Sequence, residues 1–222
     1  MLRVGILGGT FNPVHYGHLR LAEEALEEMR LDKVIFMPCY LPPHKVEDAV
    51  LSADARLRMV ELAIEGNSHF EISAMELKRG GKSYSVDTIR QLKNLYGDFY
   101  ELFFIIGMDS YVDIGSWKDY AELFAMTDLV VARRPGGLLD TGGKSPVELL
   151  PVDIRDEFCY DAARNIVVHT SGKVAYFLES TMLDISSTKL RKQVFEGKSL
   201  RYLVPANVES FIKERSLYRR II

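Results

Sequence analysis

Cysteine is scarce in this chain. Its two cysteines, Cys39 and Cys159, stand far apart and form no C-x-x-C pair, so neither a disulfide framework nor a zinc knuckle is expected. Long apolar runs are missing too. The longest, Leu102 to Ile106, falls far short of the roughly 20 residues a membrane-spanning helix needs. Neither charge dominates, with 28 Lys plus Arg against 31 Asp plus Glu and a net charge of −3. That balance excludes a basic nucleic-acid coat and a polyacidic disordered tail. The opening residues, MLRVGILGG, lack the apolar stretch and small-residue cleavage site of a signal peptide, so none is expected. There is no internal repeat and no low-complexity tract. What remains is a chain of 222 residues, 47% hydrophobic and 27% charged, the composition of a soluble, core-forming protein. A cytoplasmic location is expected.

Short apolar runs alternate with amphipathic stretches. Arg3–Leu7, Val34–Met37, Phe70–Ser73, Glu101–Ile106, Leu129–Ala132, Ile166–His169 and Val174–Phe177 read as strands. His18–Arg30, Asp54–Glu65, Val86–Leu95, Tyr120–Met126, Ser187–Phe195 and Ala206–Arg215 read as helices. Runs without period-2 alternation, separated by helices, predict an α/β fold: a Rossmann-like, doubly wound parallel sheet with a helical C-terminal end. The Gly- and Pro-rich segment at 135–146 reads as a domain linker or a surface loop. Alternation continues on both sides of it, which favours one domain over residues 1–222.

Four stretches carry chemistry. The first, GGTFNPVHYGHL at Gly8–Leu19, leaves a strand and opens a helix. The first N–H groups of a helix have no internal partner, and with the helix dipole they favour an anion. Gly8 and Gly9 put no Cβ between backbone and phosphate oxygens. His15 and His18, three apart, lie on one face and can donate to phosphoryl oxygens. A G-G pair alone would mark only a tight turn. The spacing is neither G-x-x-x-x-G-K-[ST] nor G-x-G-x-x-G, and H-x-x-H has no third residue to complete a metal site. The second stretch is ISSTKLR at Ile185–Arg191. Ser186, Ser187 and Thr188 supply hydroxyls at a helix start, and Arg191 follows one turn beyond Ser187. By itself it is also how an ordinary Ser-capped helix reads.

The third stretch, KSYSVDT at Lys82–Thr88, precedes a helix that Ser85 or Asp87 could simply cap. The fourth, GMDSYVDIGSWKDYAEL at Gly107–Leu123, leaves the buried strand Glu101–Ile106. Ligands in open α/β sheets sit at the carboxyl ends of strands. Asp109 there suits a ribose, and Trp117, the single tryptophan, suits a flat heteroaromatic ring.

The first two stretches resemble the signature of the H-x-G-H nucleotidyltransferase superfamily. Together with PPHK at Pro42–Lys45, SYSVDT, GMDSYVDIGSW and ARRPG at Ala132–Gly136, they are similar over nearly the whole chain to the bacterial nicotinate-nucleotide adenylyltransferases. Asn12 stands where that pattern often has Asp, and Ser85 where Thr is frequent. The resemblance implies transfer of AMP from ATP to nicotinate mononucleotide, in NAD biosynthesis, with Mg²⁺ accompanying ATP. It implies catalytic roles for His15 and His18. It implies ATP contacts for Gly8, Gly9, Thr10, Phe11, Gly107, Asp109, Arg134, Ile185, Ser186, Ser187, Thr188 and Arg191. For the acceptor it implies His44, Lys45, Tyr84, Ser85, Thr88 and Trp117, the indole stacking on the pyridine ring.

Two other readings compete. One is a transferase of the same superfamily with a phosphopantetheine or cytidylyl acceptor, which would offer SYSVDT and Trp117 no charged pyridine to read. The other is a nucleotide-binding regulator without catalysis, against which both histidines and the Ser-Ser-Thr…Arg set stand intact. The expected partners are small molecules, ATP and nicotinate mononucleotide. No nucleic acid and no membrane is expected, and a homo-oligomer is left open.

Overall fold

The computed structural model describes residues 1–43, 50–133, 144–181 and 183–219. Strands β1 (Leu2–Gly9), β2 (Lys33–Pro38), β3 (Phe70–Ile72), β4 (Tyr100–Gly107), β5 (Asp128–Arg133), β6 (Phe158–Asp161), β7 (Ile166–His169) and β8 (Val174–Glu179) form one eight-stranded sheet. Its order is β3-β2-β1-β4-β5-β8-β7-β6. The six strands from β3 to β8 run parallel. The central strands bury both faces: β4 sends Phe103 and Ile105 to one core and Leu102, Phe104 and Ile106 to the other. That is why these segments read as continuous apolar runs.

Helices α1 (Tyr16–Glu28), α2 (Ala53–Ile64), α7 (Ser187–Phe195) and α8 (Ala206–Glu214) cover one face. There Ala22, Ala25, Met59, Val60, Leu190, Val208 and Ile212 join Phe103 and Ile105. On the other face lie α3 (Met75–Arg79), α4 (Ser85–Tyr96), α5 (Met108–Val112) and α6 (Tyr120–Met126), with Ile89, Leu92, Tyr111, Leu123 and Phe124 in the second core.

The far edge departs from a purely parallel reading. β7 runs antiparallel to both β8 and β6. Only Thr170–Lys173 separates β7 from β8, closed by Gly172 at φ 86° and bonds between His169 and Lys173 (2.8 Å) and between Gly172 and His169 (2.8 Å). A parallel return needs a dozen or more residues, so a link this short can only make a hairpin.

Strand order reverses between β1 and β4. Crevices in open α/β sheets form at such a switch point, outside the strands' carboxyl ends. Gly8-Gly9 and Gly107 end these two strands. No helix among the described residues is long and apolar enough to cross a membrane.

Candidate active site

The turn after β1 is built around one ring. Phe11 adopts a left-handed backbone (φ 48°) and is only 2% exposed, a conformation that costs roughly 1–2 kcal/mol in a residue with a Cβ. Its ring packs at 5.8 Å from Phe36 and edge-on at 5.1 Å to His18. A Cβ at Gly9 would stand 3.0 Å from the same ring. Gly9 thus makes room for Phe11 rather than for a ligand, and Phe11 supports His18 from the core instead of presenting its ring to solvent. Gly8 and Gly107 differ: Gly8 is exposed with nothing nearer than 3.6 Å to an added Cβ, and Gly107 has nothing within 4 Å. Open space lies over the ends of β1 and β4.

His15 caps α1 and is buried, while His18 is half-buried. Their rings stack with centroids 3.7 Å apart and planes 29° apart. The His15 backbone N–H donates to His18 Nδ1 at 3.2 Å. A nitrogen that accepts carries no proton, so the neutral His18 ring holds its proton on Nε2, which becomes a donor. A Cβ at Gly17 would press at 3.0 Å on the His15 ring. The glycine between the two histidines is what lets them stack.

The ISST helix docks on this turn. Ser187 Oγ donates to the Pro13 carbonyl at 2.9 Å, and Arg191 Nη1 donates to the Asn12 carbonyl at 2.9 Å. Arg191 Nη2 reaches Thr188 Oγ1 at 3.2 Å. Thr188 is exposed; Ile185 and Ser186 are half-buried just before the helix, Ser186 as its cap. The structure therefore brings His15, His18, Ser187, Thr188 and Arg191 onto one surface.

Two residues that the sequence reading passed over hold this turn. Arg56 on α2 is 1% exposed. It donates to the carbonyls of Thr10 (2.9 Å), Cys39 (2.7 Å), Tyr40 (2.8 Å) and Leu51 (2.9 Å). Burial pulls its pKa below the usual arginine value, and Cys39 opposes that; a guanidinium still stays charged. A signal was present: Arg56 shares the apolar stripe of Met59 and Val60 at helical spacing. Tyr218, buried, donates its hydroxyl to Asn12 Oδ1 at 2.7 Å. Burial lifts that phenol well above the ordinary tyrosine range, so it remains a donor. Nothing in the sequence around Tyr218 signalled it.

Beside this surface lies a cavity of about 470 Å³ lined by Ser83, Tyr84, Ser85, Asp109, Trp117 and Lys118, among others. Trp117 is half-buried and meets Phe104 edge-on at 6.3 Å. Lys118 Nζ sits 5.1 Å over the Tyr84 ring and bonds both oxygens of Asp87, at 3.1 and 2.9 Å. Tyr84 and Ser85, at the start of α4, thus meet Asp109 and Trp117 from the stretch after β4. Thr88 does not join them. It is 1% exposed, with its hydroxyl on Glu76 at 2.5 Å, because one helical turn past Tyr84 it faces α3 rather than the cavity. His44, Lys45 and Arg134 lie outside the described residues, as does 135–143 of the Gly- and Pro-rich segment. Among the described residues no group of three or more His, Cys, Asp or Glu could hold a metal ion.

A cytidylyltransferase-like family model matches residues 6–193. Over 217 residues, 98% of each chain, the sequence is 50% identical to a probable nicotinate-nucleotide adenylyltransferase of Geobacter sp. (strain M21). It is 49% identical, at the same coverage, to one of Geotalea daltonii. Among solved structures, Plasmodium falciparum nicotinic acid mononucleotide adenylyltransferase complexed with NaAD matches with a TM-score of 0.75. That match covers 99% of this chain and 98% of the other at 17% identity, a likeness of fold.

Proposed function

This chain belongs to the nicotinate-nucleotide adenylyltransferase family, and from that membership we propose that it transfers AMP from ATP to nicotinate mononucleotide, forming deamido-NAD and pyrophosphate. One observation carries the reading beyond the name. Ser187 and Arg191 bond the backbone of Pro13 and Asn12, so the two phosphate-binding motifs form one surface beside the cavity of Tyr84, Ser85 and Trp117.

The acceptor's 5′-phosphate oxygen attacks the α-phosphorus. The bond from that phosphorus to the bridging oxygen breaks, and its electrons leave with pyrophosphate. A phosphate monoester has a second pKa near roughly 6, so the nucleophile is already deprotonated and needs no general base. The chain supplies alignment and charge stabilisation. His18 donates from Nε2 to the α-phosphate, with His15 stacked behind it. Ser187, Thr188 and Arg191 hold the departing pyrophosphate. Gly8 and Gly107 leave the floor open, and Asp109 takes the ribose. Trp117 stacks on the pyridine ring, and the N–H groups at the start of α4, beside Ser85, receive its carboxylate. Neutral donors at the positive end of a helix favour the acid over the amide. A Mg²⁺ ion accompanying ATP would supply charge neutralisation at the phosphates, and no group of three or more His, Cys, Asp or Glu among the described residues would hold it independently. ATP, Mg²⁺ and either nicotinate or nicotinamide mononucleotide, with pyrophosphate release followed, test both points. Release with the acid and little with the amide is the expected result. Equal rates would remove the preference, and no release with either would move the acceptor elsewhere.

A further inference from the structure

Glu76 and Thr88 have no part in the chemistry above, yet they make the most deeply buried polar contact near the cavity. The Glu76 side chain on α3 is 8% exposed and Thr88 is 1% exposed. Thr88 donates its hydroxyl to Glu76 Oε1 at 2.5 Å and accepts from Arg79 Nη2 at 2.9 Å. Ser83 Oγ accepts the Tyr40 N–H at 3.0 Å, and the Ser83 N–H donates to the Leu41 carbonyl at 2.9 Å.

Ser83 and Thr88 bracket Tyr84 and Ser85, the residues that line the cavity opposite Trp117. A carboxylate only accepts, and each hydroxyl has one proton to give. Thr88 accepts from Arg79 and gives its one proton to Glu76, with the Tyr84 carbonyl at 3.3 Å the other acceptor in reach. One buried carboxylate therefore grips the acceptor wall through Thr88, one turn past its lining residues, while Ser83 on their other side is tied to the exit of β2. We propose that Glu76 is a positioning residue for acceptor binding, acting through Thr88 to fix Tyr84 and Ser85 against Trp117. This rests on the reading of that cavity as the mononucleotide site. An amide at position 76 would offer Thr88 a weaker, uncharged acceptor and would lose the ion pair with Arg79, 3.8 Å away.

The test compares wild type with Glu76→Gln, Thr88→Val and Thr88→Ser. Steady-state kinetics give the KM for each substrate. Quenching of Trp117, the single tryptophan, by nicotinate mononucleotide gives acceptor binding without turnover. Wild type should both quench and release pyrophosphate; failure of both would sink the functional reading and this proposal with it. Given an active wild type, Glu76→Gln and Thr88→Val should raise acceptor KM and Kd roughly tenfold, the scale of one hydrogen bond to a charged group. ATP KM should stay within about twofold, and Thr88→Ser, which restores the hydroxyl, should stay near wild type. An unchanged acceptor KM, or a parallel rise in both KM values, would overturn the assignment. Thr88→Val is isosteric, so the Thr88 pair decides the matter if Glu76→Gln does not fold.

Discussion

Arg191 Nη1 lies 2.9 Å from the carbonyl oxygen of Asn12, across nearly the whole length of the chain. One guanidinium thus belongs to both the H-x-G-H turn and the ISST helix, with Nη1 on the first and Nη2 beside Thr188. A fork with two differently aimed nitrogens is not reproduced by an ammonium. Arg191→Ala should lower kcat/KM for ATP by about 100-fold, and Arg191→Lys, which keeps the charge, by about tenfold. Kinetics with ATP varied check this. A lysine variant equal to wild type would show that only charge matters there.

The stacked histidines make a sharper prediction. Removal of a transition-state donor typically costs about 10²–10³-fold in kcat, and His18→Ala should lose at least that much with circular dichroism unchanged. Gly17→Ala tests the stacking itself, because its new Cβ meets the His15 ring at 3.0 Å. It should lower kcat while both histidines remain in the sequence. A Gly17→Ala enzyme with full activity would mean the pair need not stack.

Trp117 should separate the two substrates. Trp117→Ala is expected to raise acceptor KM by about tenfold or more, since aromatic stacking is worth about 1–3 kcal/mol per base, and to leave ATP KM almost unchanged. Trp117→Phe should recover part of the loss. Equal damage to both substrates would assign the indole to packing against Phe104 alone.

Glu76 links the site to pH. Burial, the leading cause, holds its carboxyl above the ordinary value of 4.5, opposed by the hydroxyls of Thr88 and Ser83 and by Arg79. In the window between the unfolded and folded pKa values the native state binds more protons than the unfolded one. This group's contribution to stability therefore falls as pH rises through that window. Glu76→Gln, which cannot ionise, should gain thermal stability relative to wild type between pH 4.5 and 7.5. Melting temperatures at the two pH values provide the check, and a difference independent of pH would refute it.

The sheet's centre was legible because β1, β4 and β5 are buried on both faces and must be apolar throughout. The short elements were not. α3 (Met75–Arg79), α5 (Met108–Val112) and β6 (Phe158–Asp161) are too brief to show a period, and they form because neighbours hold them. In the candidate site, His15, His18, Ser187 and Arg191 could be singled out from spacing, and Tyr84 and Trp117 from the resemblance their motifs carry. The residues that hold them could not. Arg56, Tyr218 and Glu76 act on backbone or side chains distant in sequence, and such partnerships leave no local pattern. Thr88 shows the same limit from within a motif: its place in SYSVDT implied a substrate contact, but the helical turn directs it to Glu76.

The four carbonyls gathered by Arg56 have a mechanical consequence. Thr10, Cys39, Tyr40 and Leu51 come from three separate stretches, yet they share one buried charge. None can be released singly without leaving a guanidinium N–H unsatisfied in the interior. Opening should therefore be one cooperative event, and amide hydrogen exchange should find these stretches exchanging as a single unit. The turn after β1 and the exit of β2 should then rise and fall together.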